Sequence, residues 1–287
     1  MIRLMGILNA TPDSFSDGRG EEPESVRLAR GRALVAAGAD IVDVGGESAR
    51  GDRPAVPVDE EIARVAGLVR ELSREVAVSV DTYKPAVAEA AIAAGATLVN
   101  DVSGLRDARL AEVCARGGAS LVIMHTRAAP KQTLLDPGAY GDVVADVVAF
   151  LRERMAVAVA AGLPEERIVL DPGPDFAKTP AQTVAVLRRL DAVLALGRPV
   201  LLAVSRKDFL GAITGRGPAE RDAATLAALA YGVDAGASIV RVHDVAGARD
   251  FLAVRAVLRG ERVLGDTEGL TPERYPDGAV PPHLSLG

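Results

Sequence analysis

The sequence predicts an α/β protein built as a single (β/α)8 (TIM) barrel with long loops after its first two strands, on three observations. Eight short runs of β-branched and aliphatic residues cross the chain, and each ends on or beside a polar residue able to do chemistry: Asn9, Asp43, Asp81, Asn100, His125, Asp171, Ser205 and Arg241. Continuous apolar runs of this kind mark strands buried on both faces of a parallel sheet. Helical patterns separate the runs, and eight alternating units favour closure into a barrel over an open doubly wound sheet. The chain has 287 residues, 49% of them hydrophobic. That exceeds the roughly 250 residues typical of such a barrel and is enough for one large core.

The strands are expected at 3–9, 39–44, 76–81, 96–100, 119–125, 167–171, 199–205 and 237–242. The first helix follows Pro23, with Val26, Ala29, Ala33 and Ala36 spaced three and four apart, and stops at Gly38. A local repeat supports the alternation: AAGAD at 36–40, AAGAT at 93–97, RGGAS at 116–120 and DAGAS at 234–238. Each reads as a helix end, a glycine able to take positive φ at the cap, then a strand. Two connections, 10–23 and 45–57, are long and contain Gly and Pro, so they are expected to overhang the mouth as lids. The barrel is expected to occupy 1–265, followed by a loosely ordered Pro/Gly-rich tail, 266–287, whose His283 is given no chemical role.

Composition excludes several classes. A net charge of -6 argues against a nucleic-acid or anionic-membrane surface. The N-terminal run MIRLMGILNA is too short for the core of a signal peptide, and no stretch approaches a membrane span. One cysteine, Cys114, reads as a small buried hydrophobe, and a reducing, cytoplasmic setting is expected. No GxGxxG, GxxxxGK[ST], GxSxG or HExxH pattern occurs, which leaves dinucleotide, P-loop, serine-hydrolase and zincin readings without support.

The strand ends divide into two sets. Ser205, Arg206 and Lys207 follow the seventh strand, while Arg241 and His243 end the eighth, where barrels of this class commonly bind phosphate. These cations predict an anionic substrate group, and a salt-bridged rim is the alternative. Of the four lysines, Lys84, Lys131, Lys178 and Lys207, the last is the strongest candidate, whereas Lys84 and Lys131 read equally well as solvated. Asp81, Asn100 and Asp171, with Asp43 as a possible helix cap, could read the donors of a flat heterocycle; a metal site is the competing reading, with Asn9 at best a partial ligand for Mg2+.

GILNATPDSFSDG (6–18), DVGGESAR (43–50), SVDT (79–82), NDVSG (100–104), DPGPDFAKT (171–179), SRKDFLG (205–211) and RVHDV (241–245) together resemble the dihydropteroate synthase family from residue 4 to about 260. The resemblance implies a Mg2+-dependent transferase of folate biosynthesis, in which p-aminobenzoate displaces pyrophosphate from 6-hydroxymethyl-7,8-dihydropterin diphosphate. It implies a homodimer, formed through the later helices, that is a sulfonamide target. It places the pterin on Asp81, Asn100, Asp171 and Lys207, with Arg241 stacked on the ring, and the diphosphate on Asn9, Arg50, Arg241 and His243, with Asn9 also at the metal. Phe176, Lys207 and Asp208 would border p-aminobenzoate, and Arg50 with Asp13 and Asp17 would be brought to the leaving group by the two long loops. Lys207, Arg241, His243, Arg50, Asp13 and Asp17 are therefore the expected catalytic groups. An arylamine attacks without prior deprotonation, so leaving-group stabilisation by Mg2+, Arg and His charges is expected to dominate over any general base.

The chain departs from the family's pattern at Ala49, where Thr is usual, and at Asp175-Phe176-Ala177-Lys178, where Gly-Phe-Gly-Lys is usual. Asp175 and Asp208 place carboxylates near the expected p-aminobenzoate pocket. A pterin-binding paralogue without p-aminobenzoate activity, a corrinoid methyltransferase and a Schiff-base aldolase using Lys207 are the alternatives.

Overall fold

The computed structural model describes residues 2–11, 22–48 and 53–265. Its strands are β1 (Arg3–Asn9), β2 (Ile41–Gly45), β3 (Ala77–Asp81), β4 (Leu98–Asp101), β5 (Ser120–Met124), β6 (Ile168–Asp171), β7 (Leu201–Leu202) and β8 (Ile239–Val242). They pair in parallel in the order β6-β5-β4-β3-β2-β1-β8-β7, and a bridge between Leu170 and Val200 joins the two ends. The expected (β/α)8 barrel is therefore the fold.

The intervening helices are α1 (Glu24–Ala36), α2 (Val58–Leu72), α3 (Pro85–Ala94), α4 (Arg109–Gly117), α5 (Val143–Ala160), α6 (Pro180–Arg188), α7 (Leu190–Leu194), α8 (Asp208–Thr214), α9 (Asp222–Ala235) and α10 (Val245–Leu258). The repeated cap glycines all adopt left-handed conformations: Gly38 has φ 96°, Gly95 117°, Gly118 68° and Gly236 118°. Local sequence also sets helix starts. Asp142 accepts from Val144 N and Ala145 N at the start of α5, and Thr179 with Gln182 forms a capping box before Pro180 of α6. The chain divides into two compact units, Met1–Arg249, which holds the barrel, and Asp250–Gly287, within which Arg255 pairs with Glu261.

Strand register positions the site. Met5, Ile41, Leu98, Val122, Val169, Leu201 and Ile239 form one buried interior layer with Ala77 packed against it. Side chains two residues further along a strand point the same way. The next layer toward the strand ends is thus Ile7, Asp43, Ser79, Asn100, Met124, Asp171, Ala203 and Arg241, in which polar side chains first join the apolar ones inside the barrel.

Most strands lie within two residues of expectation, but β7 covers only 201–202 of the expected 199–205. Its ladder ends early because Arg206 turns left-handed, at φ 58°, and His243 N donates to the Ser205 side chain, at 3.2 Å, instead of to a strand carbonyl. A third long connection, residues 126–142 between β5 and α5, was not expected although it contains Pro130, Pro137, Gly138 and Gly141. Cys114 is buried, and burial pushes its thiol up to about 12, which makes it a core residue and an inert one. Among the described residues no helix is long and apolar enough to cross a membrane.

Candidate active site

Four polar side chains interlock on the floor of the mouth. Asp43, fully buried, accepts through one oxygen from both Arg241 Nε at 2.7 Å and Asn100 Nδ2 at 3.1 Å, and Arg241 reaches Asp81 at 2.8 Å. Asp43 is therefore not a helix cap but the joint between an amide and a guanidinium. Burial works against the Arg241 charge, and Asp43 and Asp81 more than offset it, so Arg241 stays a cation. Asp81 is pushed up to about 7, by burial first and then by Asp43, Glu61 and Asp101, against the pull of Arg241. Burial also raises Asp171, whose carboxylate accepts from Gly173 N at 2.7 Å. A carboxyl group such as Asp81, pushed up to about 7, can both accept from and donate to a heterocycle.

The cationic side is smaller than the sequence suggests. Arg206 pairs with Asp222 at 2.7 and 2.9 Å, which makes it part of a salt-bridged rim rather than an anion ligand. His243 bonds to Ser205 Oγ through Nδ1 at 2.9 Å, and its pKa falls to about 4, from burial and then from the Arg241 and Arg206 charges. Burial thus favours the neutral imidazole over the cation, and with Nδ1 held at Ser205 the Nε2 edge is the one left for a ligand. Arg241 and Lys207 remain for an anion, Lys207 with its pKa lowered by burial and by Arg241. Asn9 is exposed at the end of β1. Arg50, Asp13, Asp17 and Ala49 lie outside the described residues, as does the tail, 266–287.

Beside the floor opens a cavity of about 510 Å³ bordered by Phe176, Lys207, Asp208 and the 126–142 connection, including Lys131 and Leu135. Lys207 Nζ lies 4.1 Å from the centre of the Phe176 ring, a cation over an aromatic face. Both carboxylates that depart from the family's pattern border this cavity, and each has a partner of its own. Asp175 accepts from Phe209 N at 3.1 Å at the start of α8 and from Thr183 Oγ1 at 3.0 Å. Asp208 pairs with Arg221 at 2.9 Å, its side chain 86% exposed. Asp175 and Ala177, where the family usually has Gly, both have positive φ, 64° and 52°.

Several site-building residues escape the sequence reading. Lys84 is not solvated: its ammonium bridges Glu47 at 2.6 Å and Glu61 at 2.5 Å, while Thr82 and Tyr83 donate to the same two carboxylates. Lys131, 14% exposed, lies 3.4 Å from Glu47. Glu61 did carry a signal, since it falls in line with Val65, Leu68 and Leu72 on the buried face of α2, and a charge on such a stripe needs a partner. Arg221 had none. It gathers the carbonyls of Arg206, Lys207 and Arg216 and so fixes the turn after β7.

The profile of the family described as "Pterin binding enzyme" matches residues 5–243. Dihydropteroate synthase of Bacillus subtilis (strain 168) is 42% identical over 245 residues, 84% of this chain and 83% of that protein. The structure of Xanthomonas albilineans dihydropteroate synthase with 4-aminobenzoic acid superposes with a TM-score of 0.83 at 41% identity, covering 90% of this chain and 93% of that one. The same enzyme in complex with 7,8-dihydropteroate gives 0.81 at 40% identity, covering 90% and 94%.

Proposed function

The chain belongs to the dihydropteroate synthase family of pterin-binding enzymes, and from that membership we propose how its mouth performs the family's reaction. It is a transferase of folate biosynthesis that makes 7,8-dihydropteroate. The arylamine nitrogen of p-aminobenzoate bonds to the exocyclic methylene carbon of the dihydropterin diphosphate. The carbon–oxygen bond to the diphosphate breaks, pyrophosphate leaves, and the nitrogen gives up one proton to solvent.

The observation that carries this reading is the cluster of polar side chains at the strand ends, where a heterocycle-reading set and an anion-binding set share Arg241. Asp81, Asn100 and Asp171 would take the pterin edge, with Arg241 and Lys207 against the ring. Arg241 and the His243 Nε2–H would take the diphosphate oxygens, where fixed donors stabilise the charge that develops as the bond breaks. Phe176 and Lys207 would border p-aminobenzoate. Asp208 would stand at the rim of that pocket with its charge held by Arg221, and Asp175 would act on α8 rather than on the substrate. Arg50, Asp13 and Asp17 would join from the two lids.

Asn9 fits Mg2+ as a hard oxygen donor, and an ion of this kind commonly takes few protein ligands and completes its shell with phosphate oxygens and water. When bound, it would neutralise diphosphate charge. A sulfonamide would compete in the p-aminobenzoate pocket, and a cytoplasmic homodimer joined through the later helices is the assembly we propose.

The test supplies the pterin diphosphate, Mg2+ and p-aminobenzoate and measures pyrophosphate with and without the amine. Amine-dependent release is expected. Absent or amine-independent release overturns the reading.

A further inference from the structure

We propose that Lys178 is a positioning residue for the amine substrate: bonded to His125, it clamps the segment that carries Phe176 to Lys207. This rests on the synthase reading above.

Lys178 is 1% exposed and heads the largest fully buried side chains. No carboxylate among the described residues bonds its ammonium. Its donors meet neutral acceptors instead: His125 Nδ1 at 2.7 Å, Gly173 O at 2.9 Å and Phe176 O at 3.2 Å, with His125 O at 3.4 Å. A buried ammonium without a counter-charge is costly, and an apolar side chain of similar size would cost less. Burial accordingly lowers its pKa to about 7, with Lys207 lowering it further and Asp171, Asp146 and Asp175 opposing. Such a group is poorly explained as a stabiliser.

Its acceptors explain it better. His125 is fully buried, lies edge-on to Phe150 with ring centres 4.9 Å apart, and meets Asp146 through Nε2 at 3.1 Å. With Nε2 donating to that carboxylate, Nδ1 is left to accept from Lys178, and the ring is a fixed post. The two loop carbonyls belong to a segment that needs holding. Asp175 and Ala177 are both left-handed, and a Cβ on Gly173 would lie 2.0 Å from His125 O, so the chain passes in contact with the end of β5. Residues in sparsely populated conformations persist when their surroundings over-determine them. Tyr140 donates to Ala177 O at 2.7 Å as a second tie, and the product of both is the Phe176 ring under Lys207.

The experiment compares steady-state constants in the full chain. Lys178→Met is expected to raise KM for p-aminobenzoate about tenfold or more while kcat and KM for the pterin diphosphate stay within about twofold, a split that a general loss of folding does not produce. An unchanged KM for the amine, or equal damage to all three constants, overturns the proposal. His125→Leu, which removes the acceptor, should reproduce the split. His125→Asn, whose amide oxygen can stand near the Nδ1 position, should keep the amine KM close to that of the unmodified chain. Should Lys178→Met fail to fold, this pair decides, and equal amine KM values in the two variants overturn the clamp. Absence of amine-dependent pyrophosphate release in the unmodified chain overturns both this proposal and the synthase reading, whereas the variant results above overturn the clamp alone.

Discussion

On the floor of the mouth Asp43, Asn100, Asp81 and Arg241 hang from paired strands and bond to one another, with Asp43 Oδ1 left without a protein partner among the described residues, whereas in the wall beside it Asp175, Phe176 and Lys178 hang from the connection after β6 and Asp208 from the first residue of α8, held from several directions. The floor gets its geometry from register: once the interior layer is apolar, the next residue but one on each strand must point into the mouth. The wall gets its geometry from clamps, because two of its residues hold left-handed conformations that their side chains disfavour. Damage should therefore spread differently in the two. A lesion on the floor leaves a charge buried and loses the chemistry, and a lesion in the wall moves one substrate's pocket.

The largest effect is expected for Arg241→Ala. It strands the fully buried Asp43 carboxylate, and breaking a buried pair by removing one partner costs roughly 3–5 kcal/mol of stability. On the proposed role of Arg241 it would also remove a charge from the leaving group, with an expected loss in kcat of about 10²–10³ or more. Lys207→Ala should approach this in rate but not in stability. Urea unfolding and steady-state kinetics check both, and near-normal turnover in the two variants would remove leaving-group stabilisation as the main source of rate.

Asp43→Asn comes next. The amide keeps the shape and can still accept one hydrogen bond, so the loss should be about 1–3 kcal/mol, the usual cost of an imperfectly satisfied buried polar site. KM for the pterin diphosphate should rise while KM for p-aminobenzoate holds within about twofold. If the amine constant moves as far as the pterin constant, the floor and the wall are one unit and the comparison fails.

This division also decides what could be read from the sequence. Seven strands and the polar layer were legible because period-two burial and cap glycines are local patterns, and the layer of Asp43, Asn100, Asp171 and Arg241 follows from them. What each group pairs with was not. Asp43 could be a helix cap or a joint, and only the barrel's closure brings β2, β4 and β8 near enough for one oxygen to meet two donors. Arg206 and His243 looked like cations for an anion, but Asp222, 16 residues on, pairs with the first, and burial beside the Arg241 and Arg206 charges lowers the pKa of the second. The shortness of β7, the partial burial of Lys84 and Lys131 and the full burial of Lys178 arise in the same way, from contacts between segments distant in sequence.

The clamp has a signature in stability as well as in kinetics. Lys178 titrates at about 7 when folded against an ordinary 10.5. Between those values the unfolded chain binds a proton that the folded chain does not, so this group makes stability rise with pH across that window and leaves it flat below. The unmodified protein should thus gain stability relative to Lys178→Met from pH 7 to 10.5, as followed by thermal unfolding. A constant difference would mean that Lys178 is not desolvated as its contacts require.

Asp175→Gly should have the smallest effect, because two terms oppose. Glycine relieves a left-handed conformation that costs an ordinary residue roughly 1–2 kcal/mol, less for Asp, while adding backbone freedom to the unfolded chain. Losing the carboxylate removes the part-buried bonds from Phe209 N and Thr183 Oγ1, worth about 1 kcal/mol each. Stability should change by no more than about 1 kcal/mol, and KM for p-aminobenzoate by less than about threefold, since the charge is already engaged by α8. A tenfold fall in that KM would instead mean that Asp175 faces the substrate's own carboxylate, and that the wall repels the amine whose pocket it borders.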